Sequence, residues 1–237
     1  MVKLIPDGLR VGSRNKHIDA VSVNQRGLLA GGTNHGEIYL WKVNFQHIRQ
    51  KKTEVSQWVN SFKLHKKANH YVEFNESGDI LMTGSADGTA ALWDTSFVEK
   101  KGLIEVEEEP GSNMISIKQM DISDETLIKK IEETSEKKKK ESQIDHIDWS
   151  LHGRYAFVAL SVKEIEEEGK SPIVKIKVYD TQSKQIIHDL NKACGLGRDI
   201  INYAYVMKPH PVDENILLAC FDGGITLVYD VKRLSIL

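Results

Sequence analysis

The chain has 237 residues, sets 32 basic against 34 acidic side chains for a net charge of −2, and is 40% hydrophobic. That composition suits one large or two small domains with a buried core. It excludes a global electrostatic drive toward nucleic acid or an anionic membrane. Two cysteines, Cys194 and Cys220, are too few for a disulfide framework and read as small buried thiols. No apolar run reaches the ~18 residues of a membrane span. The opening MVKLIPDGLRVG lacks the apolar stretch of a secretory signal. The expectation is a soluble, intracellular protein.

Taken in chain order, the sequence alternates short apolar-patterned segments with turn signals. IDAVSVNQRG (18–27) leads into LLAGGTNHGEIYLWKV (28–43), and NHYVEFNESG (69–78) leads into ILMTGSADGTAALWD (80–94). In the latter, Asp87-Gly88 is a tight-turn signal between two alternating runs, which predicts a β-hairpin. IDHIDWSLHG (144–153) precedes YAFVALSV and PIVKIKVYD, and NYAYVMKPHPVDEN (202–215) precedes ILLACFDGGITLVYD (216–230). An isolated hairpin is marginal in water, so it is the repetition that carries the prediction.

Each unit closes on an aromatic, Trp41, Trp93, Tyr179 or Tyr229, at spacings of 52, 86 and 50. The long interval holds two charge-rich additions: residues 122–143, with twelve charged of twenty-two, and 163–170, with six of eight. Without them the period is near fifty, somewhat above the ~40–45 of a four-stranded propeller blade. Helical periodicity is nearly absent outside the charged segment, which predicts an all-β fold. The expected units are 17–65, 66–121, 144–190 and 200–237. Residues 122–143 are expected to be a flexible, deletable insert, and 163–170 a charged loop.

TGSADGTAALWD resembles the core of a WD repeat, the unit of β-propellers. The resemblance implies a hydrogen-bonded chain through His65, a strand hydroxyl (Ser85, with Thr83 as the alternative), Asp87 and Trp93. Such polar groups lie beneath packed sheets and must be satisfied. The other units depart from the pattern. His35 stands where the turn aspartate would be, the third unit has no Asp-Gly turn, and Asp222 precedes Tyr229 by seven residues instead of six. Those blades are expected to rely on packing.

The order of the repeats, and KPHPVDENILLACFDG above all, is similar to the central and late repeats of the bromodomain-and-WD-repeat proteins, the group of pleckstrin-homology-domain-interacting protein. That resemblance implies a nuclear, chromatin-associated interaction scaffold active in transcription regulation, with cell-shape control a further family role. Histones and a cullin-RING ubiquitin-ligase adaptor are its candidate partners. The adaptor role draws no support from the usual Trp-Asp-x-Arg signature, because Trp93-Asp94 is followed by Thr95 and Ser96. Four blades with no clear closing strand predict an open arc. The alternative is a compact ring in which Val2–Ile5 completes the last blade beside Val228.

No motif points to catalysis. EGKS (168–171) would need glycine at 164 to end a phosphate-binding loop, and that position is Glu164. GLGRD (195–199) lacks a third glycine. His146 and His152 are not spaced to build a metal face, and His210 reads as a turn residue. Lys137–Lys140 is flanked by glutamates that neutralise its field, so a solvated stretch is the simpler reading, ahead of a nuclear import signal. No catalytic, cofactor, metal, membrane, nucleic-acid or small-molecule site is assigned, and the expected partners are other proteins.

Overall fold

The computed structural model describes residues 17–43, 45, 49–50, 56–96, 127–131, 140–164, 172–195 and 203–237. Among them lie sixteen strands in four antiparallel sheets, each a four-stranded meander in chain order. The first blade is β1 (Ile18–Val23), β2 (Leu28–Thr33), β3 (Glu37–Val43) and β4 (Ser56–Lys63). The second is β5 (Asn69–Phe74), β6 (Ile80–Ser85), β7 (Ala90–Asp94) and β8 (Leu127–Ile131). The third is β9 (Lys140–Trp149), β10 (Tyr155–Glu164), β11 (Ile173–Asp180) and β12 (Gln185–Asp189). The fourth is β13 (Ala204–Pro209), β14 (Ile216–Phe221), β15 (Thr226–Asp230) and β16 (Ser235–Ile236).

Strand alternation places one row of each blade on its predecessor and the other on its successor. Leu28, Ala30 and Leu40 of the first blade meet Val72, Leu81 and Trp93 of the second. Met82 and Leu92 on the opposite row of the second blade meet Ile147, Val158 and Tyr179. Phe157, Ala159 and Ile176 of the third meet Met207, Leu217 and Tyr229. The core is therefore three apolar layers between blades, and the closing aromatics Trp93, Tyr179 and Tyr229 each face the preceding blade. The first strands of successive blades pack side by side, β1 on β5, β5 on β9 and β9 on β13, which makes them the innermost.

Turns at one end clasp neighbouring blades. The Asn24 side chain caps its own turn by accepting from the Arg26 and Leu28 amides, and it donates to the Gly78 carbonyl of the next blade at 2.8 Å. Asn75 sits against Gly153 one blade further on, where a Cβ would stand 3.1 Å from the asparagine. Arg154 then pairs with Glu214 at 2.9 Å between the third and fourth blades. At the other end, Gly88 turns with φ +81 directly under Ser142 of the third blade, leaving no room for a Cβ.

Two expectations change. Residues 127–131, inside the expected flexible insert, form β8 and pair with β7, and β9 already begins at Lys140. An outermost strand borders solvent and tolerates charge, so composition alone hid it. The rest of 122–143, with Lys137–Lys139, lies outside the described residues, as do 165–170 of the expected charged loop. The fourth blade makes its own outer strand: β16 pairs with β15, and the Leu237 amide donates to Val228. That edge is therefore not open to Val2–Ile5, which lie outside the described residues. No strand of the first blade joins the fourth sheet among the described residues, so the four sheets form an open arc.

Candidate functional site

The polar chain of the second blade runs from core to turn. Trp93 Nε1 donates to Thr83 Oγ1 at 3.0 Å, and Thr83 Oγ1 lies 2.8 Å from His65 Nε2. His65 Nδ1 lies 2.8 Å from Thr89 Oγ1, whose hydroxyl donates to Asp87 Oδ1 at 2.6 Å. Each hydroxyl accepts from one side and donates to the other only if His65 is neutral with its proton on Nδ1, so the network assigns that tautomer. Of the two candidate hydroxyls, Thr83 joins the line. Ser85 turns away, donating to the Lys67 carbonyl and accepting from the Asp87 amide. Thr89, which links histidine to aspartate, is an addition to the expected set. Burial opposes the charge on Asp87, but the His65 ring at 3.8 Å, the Thr89 hydroxyl and the Lys66 and Thr89 amides outweigh it. The carboxyl is held well below the usual carboxylate range.

The other closing aromatics are seated differently. Trp41 is 1% exposed, yet its Nε1 has no partner. The position matching Thr83 is Gly31, opposite Tyr39, and the indole slides over it, 2.9 Å from where a Cβ would be. Tyr179 faces Val158 in that column and is held by packing. Tyr229 donates from its hydroxyl to Asn191 Oδ1 at 2.6 Å, across the blade boundary, and Asn191 donates to Val174. The His65 line of hydrogen bonds ties the strands and turns of the second blade to one another.

The innermost strands build something else. Each carries a β-bulge: the ladder skips Asp19, His70 and Tyr205 at the second residue of β1, β5 and β13, and Asp145 midway along the longer β9. A bulge re-aims its side chain out of the sheet, and these four fall in one column of the repeat, past which only β9 extends. His70, Asp145 and Tyr205 border a cavity of 320 Å³ together with Tyr71, Tyr203 and Gln143. A second hollow of 220 Å³ adjoins it, lined by Lys67, Glu141, Ser161 and Lys163.

Asp145 anchors this mouth. Its carboxylate accepts from the Ser161 hydroxyl, from Gln143 Nε2 at 3.1 Å and from the Ala204 amide at 3.4 Å, and its carbonyl accepts from the Tyr71 hydroxyl. Burial nevertheless pushes its carboxyl upward, and burial with the Asp145 charge raises Tyr71. Tyr205 is 68% exposed beside it. Below the mouth, Asp148 accepts from Lys208 Nζ at 2.8 Å, while Glu73 is pushed up to about 7 by burial and then by Asp148, against the pull of Lys208. Sequence reading does not single out the bulge column.

No protein-family model matches the sequence. The β-propeller domain of Cps50 (Swd1) from Myceliophteria thermophila superposes with a TM-score of 0.59 at 12% identity, over 97% of this chain and 58% of that one. Sqt1 of Chaetomium thermophilum gives 0.60 at 15% identity, over 93% and 46%. The fold is a WD-repeat β-propeller arc. Among curated proteins, a component of chromatin assembly factor 1 of Saccharomyces cerevisiae is 32% identical over 76 residues, which is 30% of this chain and 16% of that protein. The chain thus spans about half the length of the solved structures it matches and a sixth of the curated relative. No helix among the described residues is long and apolar enough to cross a membrane.

Proposed function

We propose that the chain is a non-catalytic protein-interaction scaffold of chromatin, serving transcription regulation, and that it holds a basic peptide segment of histone-tail type at the bulge mouth. The observation that carries this reading is the convergence of the bulge residues of three blades on one cavity, walled by Tyr71, Tyr203 and Tyr205. Tyrosine rings give a large contact area at small entropic cost and keep a hydroxyl for hydrogen bonding. Asp145 supplies a carboxylate beside those rings. The local match to a chromatin assembly factor component and the resemblance to bromodomain-and-WD-repeat proteins favour chromatin as the setting. A neighbouring structure shows Sqt1 bound to the N-terminus of a ribosomal protein, an instance of a similar fold engaging a terminal segment.

The test is fluorescence anisotropy with labelled N-terminal tail peptides of the core histones. Tyr205→Ala and His70→Ala are expected to weaken binding about tenfold, a loss of ~1.4 kcal/mol. Val212→Ala, exposed in the turn at the opposite end of the fourth blade, should leave it unchanged. Absence of binding, or equal affinity in all three variants, overturns the reading.

A further inference from the structure

β9 and β10 are the longest strands among the described residues, at ten residues each. Beyond Asp145 their ladder pairs Gln143 with Ser161 and Glu141 with Lys163. Residues directly opposite in an antiparallel ladder share a face, and these four line the 220 Å³ hollow beside the mouth. The second blade supplies another side of it. There the Ala86 amide donates to the Ala68 carbonyl at 3.0 Å, and the Ser85 hydroxyl donates to the Lys67 carbonyl at 3.2 Å. The backbone that carries Lys67 is thereby tied to the turn at Ala86. Gly88 of that turn lies under Ser142, so Lys67, Ala86 and Ser142 border the same hollow. Gln143 and Tyr203 are walls common to the hollow and the mouth.

The two cavities differ in charge. The mouth holds the Asp145 carboxylate among tyrosine rings. The hollow holds the ammonium groups of Lys67 and Lys163, and among the described residues neither has an ion-pair or hydrogen-bond partner. The Ser142 hydroxyl is likewise unpartnered among the described residues. Gln143 and Ser161 already donate to Asp145. Glu141, opposite Lys163, offsets one of the two positive charges and leaves the other uncompensated. A basic segment lodged at the mouth is therefore repelled by the hollow unless it carries an anion there. A phosphate monoester brings a charge of about −1.5 to −2 and three acceptor oxygens, and lysine binds it as a point charge. Two ammonium groups and a hydroxyl suit that dianion better than a singly charged carboxylate.

The geometry points to a phosphate subsite: the hollow lined by Lys67, Lys163 and Ser142 takes the phosphate of a phosphorylated serine or threonine close in sequence to the basic residue held at the mouth. The spacing follows from the shared walls. An extended segment advances about 3.3 Å per residue, so cavities that adjoin across Gln143 and Tyr203 are reached by side chains roughly one to three positions apart. The subsite rests on the reading of the mouth as a site for a basic segment and adds a condition to it. Phosphorylation beside the basic residue strengthens binding, where a purely acidic mouth would be weakened by it.

The experiment is fluorescence anisotropy on the full chain with three labelled core-histone tail peptides that differ at one serine beside a lysine: unmodified, phosphorylated, or replaced by glutamate. Phosphorylation is expected to tighten binding about tenfold, and glutamate by less. In Lys67→Ala/Lys163→Ala the ratio of phosphorylated to unmodified affinity should fall to about one. Glu141→Gln should raise that ratio, and added salt should shrink it. Tyr205→Ala should weaken both forms alike and leave the ratio in place, so mouth and hollow are read separately. A fourth peptide, with one phosphoserine and no lysine or arginine, tests the hollow alone: it should bind the wild type weakly and the double variant not at all. If it does so while the unmodified tail fails to bind, the reading of the mouth falls and the subsite stands. A ratio of one or less in the wild type, a ratio unchanged in the double variant, equal gains from phosphate and glutamate, or no binding of the fourth peptide overturns the subsite.

Discussion

Asp87 shows how much one side chain contributes when it ends a buried polar chain. Removing its carboxylate in Asp87→Ala strands the Thr89 hydroxyl and the Lys66 and Thr89 amides. Thermal and urea unfolding should show a loss of roughly 1–3 kcal/mol. The acid dependence has a definite sign. Its folded pKa lies below the unfolded value of about 3.9, so its stabilisation is complete above that value and drains away as pH falls toward the folded one. Wild type should therefore lose stability below about pH 4 more steeply than Asp87→Ala. Parallel acid curves would make Asp87 an ordinary turn residue. Glu73 has the opposite sign. Held at about 7, above an unfolded value near 4.3, it keeps a proton that the unfolded chain has released, so stability falls as pH rises between the two. Glu73→Gln should flatten that decline, with a gain at pH 8 relative to pH 5 on the order of 1–2 kcal/mol after solvent screening. Matching urea midpoints for the two proteins at pH 5 and pH 8 would contradict it.

At the scale of the strand, packing between blades decides which small residues matter. Gly84 lies in β6 at a place where any Cβ meets Ile144 and Ile147 of the third blade. Gly84→Val should force those strands apart and destabilise by roughly 1–3 kcal/mol, read from the shift in urea midpoint. The charged segment bears a related lesson. Twelve charged residues of twenty-two make 122–143 read as solvated chain, yet LIKKI within it completes the second blade. Pairing with β7 fixes that strand by backbone hydrogen bonds, and among the described residues β7 is its one neighbouring strand. Removing 127–131 would bare the β7 edge, so deletion of the whole segment is expected to lower the melting temperature.

At the scale of the whole molecule, the described sheets form an arc in which burial is deepest in the middle blades and lightest along the first and last strands. β6 and β10 lie between filled blade boundaries, while β1 alternates half-buried and exposed residues and β16 is two residues long. Local opening is cheapest where few apolar contacts must break. Amide hydrogen exchange should be slowest in β6, β7 and β10 and fastest in β1 and β16. Protection of β1 equal to that of β5 would contradict this order of local stability.

Much of this architecture is written locally. Alternation with period two, the Asp-Gly turn and an aromatic at the end of each unit determine strands, hairpins and their repetition, because each depends on residues a few positions apart. The hydrogen-bond chain through His65, Asp87 and Trp93 is legible from residue types, but Thr83 and Ser85 both offer a hydroxyl two residues apart on the same side of one strand. The neighbouring strand settles it: Thr83 stands between the Trp93 indole and the His65 ring, while Ser85 lies at the turn within reach of Lys67. The bulges at Asp19, His70, Asp145 and Tyr205 are likewise invisible in the sequence, since a skipped residue shows only against the strand beside it. The same holds for Gly32 and Gly84, where an added Cβ would meet Val72 and Ile147 of the next blade. Local pattern fixes which face of a strand is apolar, and only the packing of blade on blade decides which residue of the neighbouring blade that face receives.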